Sequence, residues 1–126
     1  MQEFYKNKKI LITGSSGFVG SWLALTLHQM HAKLYGISLE PNTSPNLFEL
    51  LGLEKKISQK YINICDYDNL SSAIKEISPD IVFHLAAQPL VRESYVRTIE
   101  TFNTNVIGTL NVLESCKFLD RNINLV

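Results

Sequence analysis

Three glycines, each separated from the next by two residues, in the run Thr13-Gly14-Ser15-Ser16-Gly17-Phe18-Val19-Gly20, most constrain how this chain can fold. A short apolar stretch, Lys9-Ile10-Leu11-Ile12-Thr13, precedes them and reads as a buried parallel strand. Helical spacing follows: Val19, Trp22, Leu23, Leu27 and Met30 predict one buried stripe. Strand, glycine turn and helix in that order make a dinucleotide-binding unit. In such a unit Gly14 turns the chain sharply off the strand, Gly17 lets backbone approach a pyrophosphate, and Gly20 lets the helix pack near the sheet. The helix start, Phe18 and Val19 included, offers unpaired N–H groups and partial positive charge to phosphates, and Ser15 and Ser16 add hydroxyl donors. A P-loop is excluded, because no Gly-Lys-Ser/Thr follows.

The rest of the chain repeats the alternation. Further strands are expected at residues 34–38, 60–64 and 81–86, and a fifth begins at Ile123-Asn124-Leu125-Val126. Asp68 is a candidate N-cap for a helix whose apolar face is Leu70, Ala73, Ile74 and Ile77. A long helix carries Phe102, Val106, Leu110, Leu113 and Lys117 down one side, with Leu110 and Leu113 expected in the core and Lys117 snorkelling to water. Between Glu40 and Lys56 lies an insertion, in which the turn-forming Pro41 to Asn46 leads into a helical turn closed by Gly52. The fold class is therefore α/β, a Rossmann-like doubly wound parallel sheet, truncated within its fifth strand, with residues 1–126 as one dinucleotide-binding domain.

Composition narrows the partners. Twelve basic residues balance twelve acidic ones, so charge gives no reason to expect nucleic acid or an anionic membrane. No apolar run reaches the roughly 20 residues of a membrane helix, and Met1 to Lys6 lacks a signal-peptide apolar region. Cys65 and Cys116 lack metal or redox spacing and read as two reduced thiols in a cytoplasmic protein.

The cofactor's adenosine half has candidate partners at the strand ends. A Rossmann unit usually places an acid on the ribose hydroxyls, about 20 residues past the glycine turn. Here Ser38 ends the second strand and Glu40 follows, the latter reading equally as a solvated loop acid. With no adjacent Arg or Lys for a 2′-phosphate, NAD is favoured over NADP. Asn63-Ile64 is placed to meet the adenine, although an isolated Asn also serves as a strand-end cap. Leu85-Ala86-Ala87-Gln88 closes the fourth strand with small residues against the cofactor; tight packing explains the alanines nearly as well. His84, inside an apolar strand without spaced partners, reads as a structural histidine rather than a catalytic one.

Thr13 to Gly20, His84-Leu85-Ala86-Ala87-Gln88 and Asn105-Val106-Ile107-Gly108-Thr109 together resemble the extended short-chain dehydrogenase/reductases that act on nucleotide sugars. Within them, the Phe83 to Tyr95 run and the Pro-containing insertion most resemble the 4,6-dehydratases of CDP-glucose. The resemblance covers about Lys8 to Val126 and implies tightly bound NAD and a cyclic redox reaction. The sugar is oxidised at C4, water is eliminated across C5–C6, and the hydride returns to C6. Ser38 in place of an acid also resembles this branch, whereas Asn63 departs from its usual Asp. By the same resemblance Asn105 lies near the pyrophosphate and the floor of the active site.

The family's Thr/Ser-Asp-Lys and Tyr-x-x-x-Lys catalytic segments lie beyond the equivalent of Val126. Tyr5 and Lys9 have the second spacing, but they lead into the first strand. The expectation is a cofactor-binding portion, inactive alone, of an enzyme that takes a nucleotide sugar (CDP-glucose). Two other readings stay open: a non-enzymatic NAD-binding module or subunit of a split enzyme, and part of a nucleotide-sugar epimerase, against which the Gln88 to Arg92 run argues. A frayed edge strand and exposed apolar helix surface predict self-association or a complementing C-terminal chain.

Overall fold

The computed structural model describes residues 1–126. Its centre is a five-stranded sheet: β1 (Lys9–Thr13), β2 (Lys33–Ser38), β3 (Ser58–Tyr61), β4 (Ile81–His84) and β5 (Asn124–Leu125), in the order β3-β2-β1-β4-β5. Every pair is parallel; Ile12, for example, lies between Gly36 and Phe83. Strand 1 is buried because its side chains alternate between two cores. Ile10 and Ile12 pack on one face with Ala24 and Leu27 of α2 (Phe18–Gln29) and with Phe48 and Leu53 of the insertion. Leu11 packs on the other with Leu70, Ala73, Ile74 and Ile77 of α4 (Tyr67–Ile77) and with Val112 and Cys116 of α7 (Thr109–Lys117). Two covered faces explain the unbroken apolar run that marked this strand.

The remaining elements are short. They are α1 (Gln2–Tyr5), α3 (Leu47–Leu50) with a 3₁₀ turn at Leu53–Lys55, α5 (Val91–Val96) and α6 (Thr98–Phe102). Between α6 and α7 the helix widens into a π turn, Asn103–Gly108. Asn46 caps α3 and Gly52 follows it at φ 59°, so the insertion folds as its turn chemistry predicts. No helix is long and apolar enough to cross a membrane.

Several sequence expectations need correction. Strand 3 covers residues 58–61 rather than 60–64, and strand 4 stops at His84 rather than Ala86. Ile62 and Ile64 are apolar as a strand's residues would be, but they pack against the α4–α7 core after the strand has ended. Asp66, not Asp68, caps α4, its carboxylate accepting from the Asn69 N–H. In α2 the buried side is Gly20, Ser21, Ala24 and Leu27, while Val19 and Trp22 face solvent. Small residues let this helix lie close to the sheet, so the bulkier stripe points elsewhere. The long helix departs the same way. Phe102, Val106, Leu110, Leu113 and Lys117 do line one side, but that side is exposed; Gly108, Val112, Ser115 and Cys116 face the sheet. With Tyr95, Val96 and Ile99 also exposed, this forms a broad apolar surface, as expected of the helix surface in kind if not in residues.

Candidate functional site

The chain reverses direction across the sheet between β1 and β4: β2 lies on one side of β1 and β4 on the other. Crevices at such switch points, beyond the strands' carboxyl ends, bind ligands in open α/β sheets. A cleft of about 440 Å³ opens there, within the range of small-molecule sites. It is walled by the glycine turn, by Ser38 and Leu39 after β2, by Ile62 to Ile64 after β3, and by Leu85 to Ala87 after β4.

The glycine turn owes its shape to close contacts. Gly14 sits at φ 73°, and a Cβ there would lie 2.8 Å from the Ala86 nitrogen. A Cβ on Gly20 would lie 2.2 Å from the Gly14 carbonyl oxygen. Gly20 thus serves the turn's own closure as well as the helix packing expected of it. Gly17, extended at φ −74°, is the N-cap of α2 and caps it with no side chain. The first-turn N–H groups of Phe18, Val19 and Gly20 have no acceptor within their helix and lie on residues lining the cleft. Ser16 reaches across to the Leu39 carbonyl at 2.9 Å. Ser15 departs from expectation. Its buried hydroxyl turns inward and donates to Gln59 Oε1 at 2.8 Å, so it offers nothing to a phosphate.

Behind the fourth-strand loop lies a hydrogen-bonded chain around His84. Leu85 and Ala86 N–H groups both donate to Thr13 Oγ1 at 3.2 Å. Thr13 Oγ1 must then give its proton to His84 Nδ1, 2.7 Å away. On the other ring nitrogen, Thr109 Oγ1 lies 2.9 Å from Nε2 and donates to the Asn105 carbonyl at 2.8 Å, so Nε2 carries the hydrogen. Both ring nitrogens are occupied, and burial pushes the pKa of His84 below its ordinary 6.5. His84 is a neutral brace, as its apolar strand implied; its threonine partners were invisible because they come from strand 1 and helix 7.

Of the expected site residues, the structure brings Gly14, Ser16, Gly17, Phe18, Val19, Gly20, Ser38, Asn63, Ile64, Leu85, Ala86 and Ala87 around one cleft. Asn63 lies two residues beyond the end of β3 rather than at it, and its Oδ1 accepts from the Cys65 N–H at 2.9 Å in a local turn, which leaves the amide donors and a second lone pair open. Gln88 and Asn105 lie outside that lining. Asn105 pairs with both backbone groups of Gln88, accepting from its N–H at 2.8 Å and donating to its carbonyl at 3.1 Å. The Gln88 side chain binds Leu90 and Thr101. These two residues hold the loop in place, and the π turn is what carries Asn105 to it. Glu40 is exposed and lines a neighbouring groove with the insertion. Cys65 and Cys116 are free thiols, and burial raises Cys116 to about 11. No group of three or more metal-binding side chains is present. Gln59 is the functional candidate that sequence reasoning missed, because nothing in its spacing marks it.

Comparison with known proteins agrees with this geometry. The GDP-mannose 4,6 dehydratase family model matches residues 11–125. The chain is 45% identical to CDP-glucose 4,6-dehydratase of Salmonella typhimurium over 92% of its own length and 32% of that protein's. Among solved structures, it is similar to an epimerase of Methanothermobacter thermautotrophicus (29% identity, TM-score 0.81, covering 94% of this chain and 34% of that one). It is also similar to UDP-glucose 4-epimerase of Thermus thermophilus in complex with NAD (26% identity, TM-score 0.76, 86% and 33%). The chain spans about a third of the length of the curated relatives it matches.

Proposed function

The chain belongs to the GDP-mannose 4,6 dehydratase family, and on that premise we propose that it is the NAD-binding portion of a nucleotide-sugar 4,6-dehydratase, with CDP-glucose the substrate class of the complete enzyme. The observation that carries this reading is the uncapped start of α2, opening with the glycine turn onto the cleft. The residues fit the group: Cβ atoms at Gly14 and Gly20 would collide with backbone, and the unpaired N–H groups suit a pyrophosphate. Gly14, Ser16, Gly17, Phe18, Val19 and Gly20 would hold the pyrophosphate, Ser38 the ribose, Asn63 and Ile64 the adenine, and Leu85, Ala86 and Ala87 the cofactor's far side. Gln88 and Asn105 would act through the loop they brace. Bound NAD supplies a hydride acceptor; this chain's own part is to bind and orient it.

The NAD-bound solved relative, itself an epimerase, supports the cofactor, and the 45% identity to a CDP-glucose enzyme supports the dehydratase reading over the epimerase one. Catalysis by the chain alone is not expected. Its Tyr-x-x-x-Lys spacing, Tyr5 and Lys9, lies at the strands' amino end, where Lys9 Nζ donates to the Ile77 carbonyl at 3.2 Å, across the sheet from the cleft. The exposed apolar side of α6 and α7 suits a second copy or a complementing C-terminal chain, in the cytoplasm. Calorimetric titration of the purified chain with NAD and NADP tests the cofactor assignment, with saturable binding of NAD and weaker binding of NADP expected. Incubation with CDP-glucose and NAD should give no 4-keto-6-deoxy product. Absence of NAD binding would overturn the reading, and turnover by the chain alone would overturn its second half.

A further inference from the structure

Ser38 is almost fully buried, yet it lines the cleft. Its hydroxyl oxygen accepts from Gln59 Nε2 at 2.9 Å. The identity of that end of the amide is settled by a second contact: Nε2 also lies 3.1 Å from the Lys60 carbonyl, which can only accept. The other end, Oε1, takes the Ser15 proton at 2.8 Å. Gln59 is therefore held at three points. Its donor end faces Ser38, and the Ser38 hydrogen has no acceptor within the protein.

The space for this bridge is made by Gly36. Gly36 is the partner of Gln59 in the β2–β3 register, and a Cβ there would fall 2.1 Å from Gln59 Oε1 and 2.5 Å from Ser15 Oγ. One glycine on β2 thus lets a side chain of β3 join the glycine turn to the end of β2.

We infer that Gln59 is a positioning residue that sets the polarity of the ribose subsite, holding Ser38 as a hydrogen-bond donor to the ligand's 2′ oxygen. The inference rests on the NAD reading above. It inverts the usual arrangement, in which a strand-end carboxylate accepts from the ribose hydroxyl. A neutral donor recognises an acceptor oxygen, and it carries no charge to repel a 2′-phosphate. Discrimination against NADP at this position then comes from the lack of a cation rather than from repulsion.

The test is binding of NAD and of its 2′-deoxyadenosine analogue to the full chain and to Ser38→Ala, Gln59→Met and Gly36→Ala. The wild-type chain should prefer NAD about two- to tenfold, the range of one neutral hydrogen bond. Ser38→Ala should lose that preference, and so should Gln59→Met, although Gln59 is not among the residues lining the cleft. Gly36→Ala should do likewise by displacing a flexible side-chain end, giving a second route if Gln59→Met fails to fold. In Gln59→Met and Gly36→Ala affinity for the deoxy analogue should hold. Equal weakening of both ligands would make Gln59 a fold-supporting residue only and overturn the inference. So would an unchanged preference in Gln59→Met or Gly36→Ala, or no preference in the wild type. Failure of the wild-type chain to bind either ligand would instead refute the cofactor reading on which the inference rests.

Discussion

The two edges of the same sheet treat their polar groups in opposite ways. At the amino edge, polar groups satisfy one another. Asp80 accepts from the Lys9 N–H at 2.7 Å, donates its own N–H to the Lys9 carbonyl at 2.8 Å, and pairs with the Arg121 guanidinium, which also reaches the Ser78 carbonyl. The Lys9 hydrogen bond, aided by Arg121, holds the Asp80 carboxyl below the ordinary carboxylate range against a smaller opposing effect of burial. At the carboxyl edge, the first turn of α2, the Ser38 proton and the Asn63 amide are left with capacity to spare. The strands are common to both edges, so the difference lies in the loops. The closed edge ties the strands together, and the open edge keeps hydrogen-bonding capacity that a ligand would complete.

Substitutions at the two edges should therefore separate stability from binding. The largest effect is expected from Gly20→Val, whose side chain meets the Gly14 carbonyl: a loss of about 3 kcal/mol by denaturant titration, with NAD binding abolished. A stable Gly20→Val chain that still binds NAD would break the comparison. Asp80→Ala should cost about 2 kcal/mol, as removal of a partly exposed, charge-assisted hydrogen bond does, while leaving NAD affinity of the folded chain unchanged. The Asp80 contribution is present above the unfolded carboxylate pKa of about 3.9 and is lost as pH falls through the lower folded value.

His84 sharpens the contrast through pH. Its folded pKa is depressed, so the unfolded chain takes up a proton first as pH falls through about 6.5. Stability should fall from there toward the lowered folded value. His84→Gln should show a smaller change in urea midpoint between about pH 7 and pH 5. An equal change in both chains would mean that His84 is not held neutral. The smallest effect belongs to Ser16→Ala. Its hydroxyl already serves the Leu39 carbonyl, so NAD affinity should weaken no more than about threefold.

Legibility in the sequence follows physical size and distance. Strand 1 and the glycine turn were readable because both depend on local chemistry: apolar residues on two buried faces, and glycines where a Cβ would strike backbone. The face of α4 was readable because Leu70, Ala73, Ile74 and Ile77 are both apolar and core. The faces of α2 and the long helix were not. There the sheet accepts Gly20, Ala24, Gly108 and Ser115, and the bulky residues that dominate the pattern face outward. Strand 3 was misplaced because its own residues, Ser58 to Tyr61, form an edge strand with no buried residue and little apolar pattern. Within the site, the places of Ser38 at the end of β2 and of Ala86 in the loop after β4 followed from topology. The Ser15–Gln59–Ser38 bridge and the threonines flanking His84 did not, since each joins residues far apart in the chain.

The most direct test of the open edge is an amide-resolved NMR titration of the purified chain with NAD. Saturable shifts should concentrate at Gly14 to Gly20, Ser38, Asn63 and Leu85 to Ala87, with Asp80 and Arg121 unmoved. No saturable shifts, or shifts centred on the exposed side of α6 and α7, would contradict it.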